Sequence, residues 1–168
     1  LAVINQLINH PKTNINQKNY IGYSPLTYAV ELNDENLINL ILKNEKFNQD
    51  ESNINLAFHL ASDKICRLLI NFESIDVNYV PDQNISNSCK NKCKSFLVKS
   101  IMNLDKVLFD LIIHHPSFHK TKKQIIEAIV ASISANSIEI LTELLEIGKE
   151  FDININSVII DDKYTLLF

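Results

Sequence analysis

Asn19-Tyr20-Ile21-Gly22-Tyr23-Ser24-Pro25-Leu26-Thr27-Tyr28-Ala29-Val30 is the stretch on which the reading of this chain turns. Ser24-Pro25 is a helix start. The serine oxygen can accept a free amide of the first turn, and proline at the first helical position loses an N–H that had no helical partner anyway. The helix is expected over Ser24–Leu32. Asn33-Asp34 then breaks the chain, and the pair can cap a second helix. That helix carries Leu37-Ile38 and Ile41-Leu42, apolar pairs four residues apart that fall on one stripe of a 3.6-residue period.

The stripe recurs along the chain. Val3-Ile4 precedes Leu7-Ile8, Ile65-Cys66 precedes Leu69-Ile70, Leu108-Phe109 precedes Ile112-Ile113, and Ile140-Leu141 precedes Leu144-Leu145. The five copies begin at 3, 37, 65, 108 and 140, at intervals of 34, 28, 43 and 32 residues. Amphipathic helices alone would not give one stripe at near-constant spacing, so the pattern reads as a repeat. The residues after each stripe also match: Asn14-Ile15-Asn16, Asp76-Val77-Asn78 and Asp152-Ile153-Asn154 follow the first, third and fifth. Pro11 and Pro116 are helix stops, and Gly148 is expected at a left-handed helix end. A shorter helix precedes each stripe from the second onward, over Ser24–Leu32, Ile54–Ser62, Ser95–Met102 and Gln124–Ala135.

Residues 19–42 resemble the ankyrin repeat, whose signature is a glycine turn, then Thr-Pro-Leu-His-x-Ala-Ala, then a second helix. Here Gly22 supplies the turn and Ser24-Pro25-Leu26-Thr27-Tyr28-Ala29 the signature, with Thr27 in place of the family's His. Asp76-Val77-Asn78 resembles the repeat's closing residues, and Lys163-Tyr164-Thr165-Leu166-Leu167-Phe168 the start of another unit. The other units match by period and apolar pattern. They depart from the family in lacking the Gly between the helices, and Ile54-Asn55-Leu56-Ala57 lacks both Pro and glycine turn. The resemblance implies an all-α solenoid of stacked helix-turn-helix units with short or degenerate hairpin loops. Its parts are a partial repeat over 1–16, repeats over about 17–48, 49–78, 79–118 with an insertion at 79–94, and 119–154, and the start of a further repeat over 155–168. In such a stack each unit buries its apolar face only against its neighbours.

Composition agrees with one globular domain. The 168 residues are 46% hydrophobic and 21% charged, with a formal net charge of −4, which excludes a disordered tail, a disulfide scaffold and a globally basic nucleic-acid binder. With only 2 Gly and 4 Pro, Asn and Asp must make the turns. Cys66, Cys89 and Cys93 form no disulfide framework, no apolar run is long enough to span a membrane and no signal peptide is expected, so a cytoplasmic protein is expected. Both ends fall within the pattern, and a longer parent chain is expected.

No nucleotide loop, metalloprotease helix or nucleophile elbow is present. Asp161-Asp162 and the pair Glu143 and Glu146 read as turn and solvent-face residues, so no catalytic group is expected. Cys89 and Cys93, with His114, His115 and His119, are the nearest approach to a zinc site, but Cys-x3-Cys is loose and has no second tight pair. No metal and no cofactor is expected. Charge is uneven. Residues 89–123 hold eight lysines (Lys90, Lys92, Lys94, Lys99, Lys106, Lys120, Lys122 and Lys123) against two aspartates, which suits an electrostatic contact with an acidic partner or a phosphate backbone. The resemblance implies a protein partner instead, bound through turn tips and the first-helix face. Tyr20, Ile21, Tyr23, Tyr28 and Glu31 fall on those contact positions. The expected function is a non-catalytic protein–protein interaction module. The alternatives are a nucleic-acid or ribonucleoprotein accessory using residues 89–123, or a regulatory repeat segment of an enzyme whose catalytic part lies elsewhere.

Overall fold

The computed structural model describes residues 2–81, 95–153, 159–160 and 164–165. Among these the chain is helical, with nine helices and one two-residue strand pair. It divides into two compact units, Leu1–Cys93 and Lys94–Phe168.

The first unit holds α1 (Ala2–Asn9), α2 (Pro25–Glu31), α3 (Glu35–Leu42), α4 (Ile54–Leu60) and α5 (Asp63–Leu69). α2 packs on both α3 and α4, and α4 packs on α5. Leu26, Ala29, Val30, Ile38, Ile41, Leu56, Ala57, Phe58, Ile65 and Leu69 make its core. Cys66 is buried among them, its thiol directed at the Phe58 and Ala61 carbonyls. Together with the apolar stripe it behaves as a small hydrophobe.

The second unit holds α6 (Phe96–Met102), α7 (Lys106–Ile113), α8 (Lys122–Ser134) and α9 (Ile138–Lys149). α6 packs on α7 and α8, and α8 on α9. Phe96, Ile101, Leu108, Phe109, Ile112, Ile125, Ala128, Ile129, Ile140 and Leu144 are buried. β1 (Ile159–Ile160) pairs antiparallel with β2 (Tyr164–Thr165), Ile159 opposite Thr165 and Ile160 opposite Tyr164.

Three of the helix-to-helix connections share one geometry. Asn33, Leu104 and Asn136 adopt φ of 54°, 57° and 54°, each four residues before a stripe. Each donates its N–H to the carbonyl three residues back, and the next residue donates to the carbonyl five back: Asn33 to Val30 and Asp34 to Ala29, Leu104 to Ile101 and Asp105 to Ser100, Asn136 to Ile133 and Ser137 to Ser132. This is the Schellman helix stop, which satisfies carbonyls the helix leaves unpaired. Asp34 and Asp105 then cap the following helix, each carboxylate accepting the N–H three residues on, at 3.0 and 2.9 Å. Ser137 occupies the same position without a side-chain cap bond. The α4–α5 connection departs from this plan: Ala61 is extended, and no left-handed residue intervenes.

Loops after α1, α3 and α5 also repeat. Asn14, Asn48 and Asp76 each accept, through the side-chain oxygen, the N–H two residues ahead, at 2.9, 3.0 and 2.9 Å. These Asx turns supply the bends a glycine-poor chain needs. Their spacing, 34 then 28 residues, is that of the stripes. Asn16 ties one loop to the next. Its amide donates to the Lys46 carbonyl at 2.7 Å and accepts from the Asn48 N–H at 2.9 Å and the Ser52 hydroxyl at 2.6 Å.

Gly148 corrects the sequence expectation. It lies inside α9, buried, and no left-handed backbone is present there. A Cβ at 148 would meet Ile153 and Ile129 at 3.6 to 3.8 Å, ordinary van der Waals distances, so the position is a packed helical one and not a turn. The left-handed residue after α9 is Asp152, φ 49°.

Candidate functional site

The turn before α2 is organised by Asn19. Its side-chain oxygen accepts the N–H groups of Ile21 and Tyr23, at 3.0 and 2.9 Å, and its amide reaches the Tyr28 hydroxyl at 2.9 Å. Gly22, at φ 81°, closes the turn, donating to the Asn19 carbonyl at 3.0 Å. A side chain there would be strained. Asn53 of the next loop donates to the Gly22 carbonyl at 3.1 Å, and so holds the turn from outside. Ser24 and Thr27 complete a reciprocal capping box at the start of α2, both side chains fully buried.

The consequence is a rigid frame for a few exposed side chains. Tyr20, at the tip, is 97% exposed, Tyr28 is 46% exposed, and Ile21 is half-buried between them in sequence. Tyr28 and Glu31 lie three apart on α2, hence on one helix face. Glu31 is exposed and ends α2, where a carboxylate opposes the helix dipole. It has no cationic partner among the described residues.

Tyr23 corrects the set. It is only 5% exposed, and its ring packs 5.2 Å from that of Tyr28 at an interplanar angle of 59°. The reversal of direction at Gly22 turns the Tyr23 side chain inward, so it supports Tyr28 and offers no surface of its own. Asn19 is the positioning residue the sequence reading passed over. The signal was the Asn-x-x-Gly spacing of a side-chain-stabilised turn.

The basic residues are placed less coherently. Lys90, Lys92 and Lys94 lie outside the described residues, as do Cys89 and Cys93. Lys99 is half-buried on α6, while Lys120, Lys122 and Lys123 are exposed around the start of α8. Lys122 reaches the Asp152 carbonyl at 3.3 Å, and Lys123 lies 3.9 Å from Glu127. Lys106 serves structure. It pairs with Asp110 and with Glu143 at 2.9 Å, linking α7 to α9, and lies 5.2 Å from the Phe109 ring centroid.

The histidines are engaged locally. The Nδ1 of His114 lies 2.9 Å from the Asp110 carbonyl, and that of His115 lies 2.8 Å from the Ser117 hydroxyl. Among the described residues no three His, Cys, Asp or Glu side chains converge as metal ligands would. No helix among them is long and apolar enough to cross a membrane.

In comparisons with known proteins the chain matches no family model, no curated protein and no solved structure.

Proposed function

We propose that this chain is a non-catalytic protein-binding module, an ankyrin-like stack that presents Tyr20, Ile21, Tyr28 and Glu31 to a partner. The observation that carries the reading is Tyr20: an aromatic ring held 97% in solvent on a turn that Asn19, Gly22 and Asn53 all brace. An exposed ring gains nothing for folding. On a preordered turn it binds with little ordering cost, and tyrosine is a favoured interface anchor because it joins an apolar ring to a polar hydroxyl.

Support for the ankyrin-like architecture comes from the repeated local geometry. Helix pairs with a common Schellman connection at 33, 104 and 136, and Asx turns at 14, 48 and 76, keep the register of the apolar stripes. The family's inter-helix glycine is replaced by Asn twice and Leu once.

Affinity capture with the tagged full chain, with and without nuclease, tests the function. A nuclease-resistant protein partner that Tyr20→Ala releases, with helical content unchanged, is the expected outcome. Tyr20 makes no buried contact, so this substitution leaves the fold intact. Capture that survives Tyr20→Ala removes this surface. Capture abolished by nuclease, with a steep loss on added salt, assigns the function to the lysines instead.

A further inference from the structure

We propose that a second site on the first unit, the groove between the loops after α3 and α5, accepts a cationic side chain of a partner polypeptide, arginine in preference to lysine. The groove has a volume of about 400 Å³ and is lined by Phe47, Asn48, Gln49, Asp50 and Phe72. That is at the low end of ligand clefts, roughly 300–1,000 Å³, and suits one long side chain rather than a helix.

Two observations select a cation. The first is aromatic: Phe47 and Phe72, both half-buried, meet edge to face with centroids 6.1 Å apart and planes at 77°. Ring faces are negative and attract a guanidinium placed over them. The second is charge. Residues 45–51 and 73–76 carry Glu45, Asp50, Glu51, Glu73 and Asp76, all exposed, against the single Lys46. The Lys46 ammonium is already held by the His10 carbonyl at 2.7 Å. None of the five carboxylates meets a cation among the described residues. The Ser74 hydroxyl binds Asp50 and fixes its carboxylate at the groove.

Packing between loops accounts for the contact of the two rings. It does not account for five uncompensated carboxylates on the two loops that form the groove, Asp50 among its lining residues, since like charges repel and destabilise the loops they sit on. The remaining described residues of this unit carry five basic and four acidic side chains, so its negative charge is concentrated here. Arginine fits better than lysine because its planar guanidinium can stack on a ring and bond a carboxylate at once. The site shares no residue with the Tyr20 surface and does not depend on it.

The test titrates the full chain with Ac-Ala-Arg-Ala-amide while following its NMR resonances. The neutral isostere Ac-Ala-citrulline-Ala-amide and calcium chloride serve as controls. Saturable shifts at Phe47, Asp50 and Phe72, with citrulline about five- to tenfold weaker, are expected. Glu51→Gln with Glu73→Gln, both exposed and safe for folding, should weaken the arginine response about two- to fivefold. Tyr20→Ala should leave it unchanged, which separates failure of this site from failure of the partner surface. The proposal is overturned by an absence of saturable shifts at these residues, by an equal response to citrulline, or by calcium producing the same shifts at lower concentration.

Discussion

Asn33 and Leu104 hold the same left-handed backbone conformation, φ 54° and 57°, and each stands one residue before an aspartate that caps the next helix. Asn tolerates that conformation. Leu does not, because its Cβ crowds the following carbonyl at a cost of about 1–2 kcal/mol. Leu104 is also 61% exposed, so it recovers little of that cost by burial. Leu104→Gly should therefore raise stability by about 1 kcal/mol, and Leu104→Val should lower it by a similar amount, since a β-branched side chain is worse still at positive φ. Urea denaturation of the three proteins checks the order Gly, Leu, Val.

Asn16 is the buried polar residue on which two loops of the first unit depend. Its truncation leaves the Ser52 hydroxyl and the Asn48 N–H without their acceptor, and the Lys46 carbonyl without its donor. Ser52 is fully buried, so water does not replace the lost bond. Asn16→Ala should cost about 2–4 kcal/mol. Asn5→Ala, which removes an exposed bond to Asn9, should cost less than about 1 kcal/mol. Equal losses for the two would contradict the network.

Lys106 couples stability to pH in the second unit. Partial burial pulls its pKa down, but the hydrogen bonds and charges of Asp110 and Glu143 push it up by more, leaving it above its ordinary 10.5. A raised folded pKa means the charged form favours folding. The contribution is fully present below the unfolded pKa and disappears as pH rises through the folded one. The stability advantage of the native chain over Lys106→Met should hold between pH 7 and 9 and shrink above about 10.5. Denaturation at pH 8 and pH 11 measures it. An advantage that grows at the higher pH would contradict the assignment.

Much of the helical plan was legible because the apolar stripe is periodic and its caps are chemically distinct. Ser24-Pro25 and Asn33-Asp34 each name a helix boundary, and each is one. What stayed hidden depended on long-range context. Leu104 cannot be read as a left-handed residue, because its identity argues against that conformation, which goes with the packing of α6 on α7 and the Schellman bonds between them. Gly148 looked like a helix stop, but the helix runs through it to Lys149 and the left-handed residue is Asp152. Tyr20 and Tyr23 are three apart around one glycine, and sequence alone does not say which turns inward. Phe47 and Phe72 were indistinguishable from core aromatics until the loops brought them together.

Contact between Tyr20 and a protein partner is tested most directly by a photo-crosslinker at that position. Tyr20→benzoylphenylalanine in the full chain, irradiated in native lysate, should give one discrete crosslinked protein band that nuclease does not remove. The same replacement at Val107, an exposed position on α7, should not give that band. No discrete adduct at position 20, or the same adduct from both positions, would contradict the account.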